Sequence, residues 1–246
     1  MWTRLAIAAL VLGLAAAAPV RANEVLTVGG FGATRVKLAS PSPATRSVVV
    51  LLPGGDGFMD IDEAGAIQRL RGNSLVRTWR QMHASGLAVA LADRDVDLGQ
   101  LTSVLRQRGF RRVVWVGTSR GTLRIASALP GTSGPARPDA IVLTAGFLDE
   151  AQPENVQRGF GSPSILPPTL VVHHRGDLCR VTPPSGVESF VAWSGGRARA
   201  VWITGGAAET GNPCQAGGPH GFRGTEGAMV SAVAACARRG PQLSGQ

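Results

Sequence analysis

The residues Gly117-Thr118-Ser119-Arg120-Gly121, at the end of the apolar run Val113 to Val116, have the spacing Gly-x-Ser-x-Gly. On a sharp strand-to-helix turn, a serine in this pattern has its hydroxyl lifted clear of the sheet, where it can attack a carbonyl. A serine alone is a weak nucleophile at neutral pH. Acyl transfer through it needs a general base within reach and a third group that holds the base in the right tautomer. With 33 glycines in 246 residues, the five-residue pattern also arises by chance, so its partners must be sought elsewhere in the chain.

On a sheet that carries such a turn, the partners follow in the order serine, acid, histidine, each on a loop after a strand. Asp177, in HHRGDLCRVTPP, comes just past the apolar run Thr169 to His173, and His220, in GGPHGF, lies beyond the last such run. Taken singly, Asp177 reads as a turn residue after Gly176, and His220 as a loop histidine. All three in the required order is what singles them out. Asp149 and Glu150, after the preceding strand, are the alternative acid. His173 and His174 precede Asp177, the wrong order for a base, and read as packing or pocket residues; His83, in RQMHAS, reads as a structural histidine on a helix. Asp93, Asp95 and Asp97 read as a polar loop, with no neighbouring His or Glu to complete a cation site. No metal or cofactor is implied.

The oxyanion formed by attack needs preorganised N–H donors. One is the amide after the nucleophile, that of Arg120. The other comes from the loop Pro53-Gly54-Gly55-Asp56-Gly57 after the run Ser47 to Leu52, where the amides of Gly55 and Asp56 are the candidates. A phosphate-binding loop would need a Gly-Lys-Ser/Thr ending that is absent.

These loops need a scaffold. Ser47 to Leu52, Leu87 to Ala92, Arg112 to Val116, Ala140 to Thr144, Thr169 to His173 and Ala200 to Thr204 are continuous apolar runs, the pattern of strands covered on both faces. Helical candidates alternate with them: Leu75 to Ala84, Leu98 to Gln107, Thr122 to Leu129, Gly186 to Trp193 and Thr225 to Ala237. The alternation predicts an α/β fold, a mostly parallel doubly wound sheet with the site at the carboxyl ends of its strands. An N-terminal strand pair is expected around Gly29 to Gly32. Without repeats or a dividing linker, one domain is expected over 23–246.

Residues 1–22 read as a signal peptide: Arg4, an apolar run from Leu5 to Ala18, and small residues at Val20 and Ala22. That run is too short to span a bilayer, which takes ~20 residues, so export without stable membrane insertion is expected, to a bacterial periplasm or beyond. The formal charge is +9, but the cations are scattered arginines with Lys37 the sole lysine, and no nucleic-acid motif accompanies them. Of three cysteines, Cys236 falls on the apolar stripe of the last helix, which leaves Cys179 and Cys214 as the disulfide pair expected after export. That bond would join the acid loop to the base loop.

Together GTSRG, PGGDG, HHRGDLCRVTPP and PCQAGGPHGF resemble the α/β-hydrolase superfamily, and within it small exported bacterial serine hydrolases. The resemblance spans nearly all of 23–246. It implies Ser119 as nucleophile, Asp177 as acid, His220 as base, and amides near Gly55 and at Arg120 as the oxyanion hole. Where the commoner pattern has His-Gly before the oxyanion loop, this chain has Pro53-Gly54. A cap is usually inserted between the Ala140 and Thr169 strands; here the two dozen residues Ala145 to Pro168 leave room for a minimal cap or none. The expected substrate is a small or medium ester, and the expected enzyme a carboxylic ester hydrolase. A peptidase or amidase of the same fold, and a non-catalytic envelope binding protein, are the alternatives.

Overall fold

A computed structural model describes residues 23–29, 34–209 and 211–240. The expected signal peptide over 1–22 lies outside these residues, as do residues 30–33 of the expected N-terminal strand pair. Among the described residues, eight strands form one sheet: β1 (Asn23–Val28), β2 (Thr34–Ala39), β3 (Ser47–Leu52), β4 (Ala88–Ala92), β5 (Arg112–Thr118), β6 (Ala140–Thr144), β7 (Thr169–His174) and β8 (Ala198–Ile203). Their order is β1-β2-β4-β3-β5-β6-β7-β8. β1 and β2 pair antiparallel, in the register Val28 with Thr34, and β2 pairs antiparallel with β4; every later pairing is parallel.

The apolar runs become central strands because both faces are covered. Val48, Val50 and Leu52 of β3 point into one layer and Val49 and Leu51 into the other, the period-2 consequence of the pleat. The first layer is closed by α2 (Leu98–Gln107), α3 (Arg120–Ala128), the short α4 (Val156–Phe160) and α5 (Gly186–Trp193), through Leu101, Ile125, Phe160 and Phe190. α1 (Ser74–Ala84) and α6 (Glu226–Arg239) close the second, through Leu75, Met82, Met229 and Val233. Cys236 sits in this second layer as a free buried thiol, and burial pushes its pKa up to about 11. It is therefore a small packing residue rather than a nucleophile.

The three aspartates expected to form a polar loop behave differently from one another. Asp93 is buried: its carboxylate accepts from the Met59, Asp60 and Arg94 amides and so anchors the chain that leaves the Pro53 to Gly57 loop. Asp97 caps α2 by accepting from the Gln100 amide, and Asp95 is exposed beside Arg94. The spacing of two hides the difference because β4 ends at Ala92, immediately before the first of them. Asp93 still faces inward at the strand's end, and the other two are already in the turn.

Candidate active site

β5 runs directly into α3, and Ser119 is the one residue between them. It is held at φ 51°, ψ −125°, a conformation that costs a non-glycine residue on the order of 1–3 kcal/mol and persists only where the surroundings impose it. They do so through close approach. A Cβ on Gly117 would lie 2.6 Å from the Gly121 carbonyl oxygen, and one on Gly121 would run into the Leu52 carbonyl. The elbow is therefore wedged against the end of β3, which places the Pro53 to Gly57 loop beside the serine. A Cβ on Gly54 would come within 2.8 Å of the Ser119 Cβ. Ser119 itself is half-buried, and among the described residues its hydroxyl makes no hydrogen bond.

Asp177 follows β7 and is fully enclosed. Its Oδ1 accepts from the Cys179 amide at 2.9 Å, while its Oδ2 lies 2.9 Å from His220 Nδ1, 3.5 Å from the Thr182 hydroxyl and 3.4 Å from His173 Nε2. Burial pushes the carboxyl up, but hydrogen bonds from His173 and His220, the charge of His220 and the Cys179 amide outweigh it and hold the acid at about 2. It is thus a permanent acceptor, so the nitrogen of His220 that carries the proton is Nδ1, leaving Nε2 free to accept. His220 sits in a buried 3-10 turn, Pro219–Gly221, with the Thr182 hydroxyl 3.2 Å from the same Nδ1. The alternative acid, Asp149, accepts from the Ala151 amide of its own turn and makes no bond to His220.

Ser119 and His220 line one cavity of about 460 Å³, with Gly54 and Gly55 on one side and Cys214, Gln215 and Ala216 on another. A larger cavity of about 590 Å³, lined by Lys37, Trp79 and arginines 71, 77 and 80, contains none of the three residues. The chemistry decides between the two: only the smaller joins a strained serine to a histidine held by a carboxylate. Gly55 lines that cavity, whereas the Asp56 side chain is exposed and paired with Arg69. The amides of Gly55 and Asp56 have no acceptor among the described residues, and Arg120, as first residue of α3, has no intrahelical acceptor for its own N–H. The Cys179–Cys214 disulfide joins the acid loop to the cavity wall.

No protein-family model and no curated protein matches this sequence. Solved structures do match its fold. A Thermogutta terrifontis esterase superposes with a TM-score of 0.60 at 15% identity, over 92% of this chain and 97% of that one. A sugar hydrolase from Lactococcus lactis gives 0.59 at 16% identity, over 88% and 97%. A serine hydrolase without a lid from Xanthomonas campestris gives 0.57 at 16%, over 89% and 97%. The chain has the α/β-hydrolase fold.

In the α/β-hydrolase fold the stretch after β6 is where a cap is carried. Here 145–168 lies down on α3 instead: Gly159 packs on Ala126, and Glu154 pairs with Arg120 at 2.7 Å. Among the described residues, none from this stretch lines the cavity. The Arg120 side chain is thus a surface tie to that segment rather than part of the cavity wall.

Thr182 and Arg77 had no place in the sequence reading, which took His173 and His174 for packing or pocket residues. Thr182 touches both Asp177 and His220. His173 faces Asp177 and makes no contact with the cavity, while His174 bonds the Gly205 carbonyl and the Gly176 amide. Arg77, from α1, donates to the Gly72, Ala216 and Gly221 carbonyls and to Glu226, so it ties the base loop to two helices. The doubled histidine was the only visible signal for any of them.

Proposed function

We propose that the chain is an exported serine hydrolase, a carboxylic ester hydrolase that works through an acyl-enzyme on small or medium acyl substrates. The observation that carries this reading is the 2.9 Å bond from His220 Nδ1 to a buried, ionised Asp177, in a cavity shared with Ser119 at the strained elbow. Ser119 Oγ attacks the substrate carbonyl as His220 Nε2 takes its proton, and Asp177 stabilises the imidazolium that forms. The amides of Arg120 and of the Gly55 turn, Gly55 or Asp56, face the developing oxyanion. His220 then returns the proton to the departing alcohol, and water enters by the same route to release the acid.

The absence of any 145–168 residue from the cavity wall supports a substrate that needs no cap, and the few apolar side chains there, Leu70 and Ala216, support a short acyl group. The disulfide is compatible with an oxidising compartment, as the leader over 1–22 requires.

The test is labelling with a fluorophosphonate followed by peptide mapping, with Ser119→Ala as control, and then a series of chromogenic esters of increasing acyl length. Label on Ser119 and turnover that falls with acyl length are expected. Label elsewhere, or equal label on the variant, overturns the nucleophile assignment. Turnover of amides at rates comparable with esters would make the chain an amidase, and no label on the oxidised protein would make it a binding protein.

A further inference from the structure

His173 is fully buried at the end of β7, four residues before Asp177, and its two ring nitrogens are treated unequally. Nε2 faces the Thr182 carbonyl at 3.1 Å and Asp177 Oδ2 at 3.4 Å. Both are acceptors, so Nε2 carries the hydrogen. Nδ1 is buried with no hydrogen-bond partner, and adding a proton there would bury an N–H with nothing to receive it, which is costly. The ring is therefore a neutral, fixed donor. An apolar side chain would fill the same space against Trp202, whose ring meets the imidazole edge-on at 6.0 Å, without the orphaned nitrogen. A histidine at this point has a cost that packing does not explain.

We propose that His173 is a positioning residue of the site: its Nε2–H, bonded to the Thr182 carbonyl and facing Asp177 Oδ2 at 3.4 Å, holds the carboxylate in line with His220. The proposal rests on the hydrolase reading above. Oδ2 then has three polar neighbours, His220 from the base loop, His173 from β7 and Thr182 from the acid loop itself, and Oδ1 has the Cys179 amide. The nearby charge is that of Arg175, the residue after β7, whose guanidinium lies 4.3 Å from the centre of the Trp202 ring of β8. Because the Thr182 carbonyl is bonded by the same N–H, His173 also places the hydroxyl that sits between acid and base. A donor on Oδ2 withdraws electron density from the carboxylate and so moderates its pull on the His220 proton. Removing that donor makes the carboxylate more basic, favours the imidazolium of His220, and moves the acid limb of kcat/KM to higher pH.

The experiment compares His173→Leu and His173→Gln with the wild type, using the ester turned over fastest. His173→Leu is expected to lower kcat about tenfold, with KM changed less than twofold, and to move the acid limb upward by about half a pH unit or more. His173→Gln, whose side-chain N–H reaches the same distance from the backbone, is expected to restore the limb and most of kcat. An acid limb for His173→Leu that superimposes on the wild type overturns the proposal, as does a glutamine variant no better than the leucine. Should His173→Leu not fold, ¹⁵N NMR of the wild-type imidazoles decides: a neutral His173 protonated at Nε2 at neutral pH supports the proposal, and protonation at Nδ1 overturns it. Fluorophosphonate labelling of wild-type Ser119 is run alongside. Its failure would sink the hydrolase reading itself, whereas labelling with an unmoved pH profile sinks only the role of His173.

Discussion

The two halves of the proposed active site, one for the nucleophile and one for the acid and base, are built from different materials. The nucleophile half is made of backbone: a serine at positive φ, glycines 54, 117 and 121 where any Cβ would collide, and amides with no acceptor. The acid–base half is made of side chains: Asp177, His220, Thr182 and His173 in mutual contact, tied down by a disulfide and by Arg77. The contrast follows from what each half must do. An oxyanion is met by N–H groups whose direction the chain path dictates, whereas a proton relay depends on which atom holds hydrogen, and that is set by hydrogen-bond partners.

The largest effects are expected where chemistry is removed without disturbing either scaffold. Ser119→Ala and Asp177→Asn should each lower kcat/KM by roughly 10³-fold or more, measured on the same ester, with Tm nearly unchanged for the serine variant. Asp177 also carries a stability signature. Its folded pKa of about 2 lies below the ~3.9 of an unfolded chain. Its contribution is therefore complete above about pH 4 and is lost as pH falls towards 2. Denaturation of the wild type and of Asp177→Asn across that window should converge as pH drops; a constant gap would show that Asp177 does not titrate there.

Next come changes to the frame of each half. Gly121→Ala should cost about 3 kcal/mol or more in urea denaturation, because a methyl group would meet the Leu52 carbonyl. A small loss would mean the elbow is less tightly wedged than its contacts imply. Breaking the clip with Cys214→Ser should cost about 3–4 kcal/mol in the chain-entropy view for a 35-residue separation, and should lower kcat by about tenfold as the Cys214 to His220 loop loses its tether. Unchanged kinetics would assign the bond to stability alone. The smallest effect is expected at Arg120→Ala. Its pair with Glu154 is exposed, worth less than about 1 kcal/mol, and activity should stay within twofold, since Arg120 is not among the residues that line the cavity. A large loss would give the side chain a part in catalysis.

Legibility differed between the halves in the same way. The strand runs, the helices and the elbow were readable because each is a local pattern: continuous burial reads as Val-rich segments, and a glycine wedge reads as Gly-x-Ser-x-Gly. The five-residue α4 was not foreseen, since Val156 to Phe160 is too short to show a period. In the acid–base half, Asp177 and His220 were legible only through their order along the chain. Thr182 looked like part of a proline-rich loop, and His173 looked like packing. What distinguishes them is an oxygen of Asp177 that the polypeptide brings to both from different directions.

By itself, then, the sequence determined the alternating scaffold, the strained turn at Ser119 and the pairing of Cys179 with Cys214, all of which depend on neighbours along the chain or on a count of cysteines. Only the tertiary structure decided that 145–168 lies on α3 rather than over the cavity, that Ser119 and His220 share the smaller cavity, and that His173 faces the carboxylate. Each of these is a matter of which surfaces meet across the sheet edge. Side-chain direction at a meeting point is set by packing from both elements, and neither segment carries that information alone.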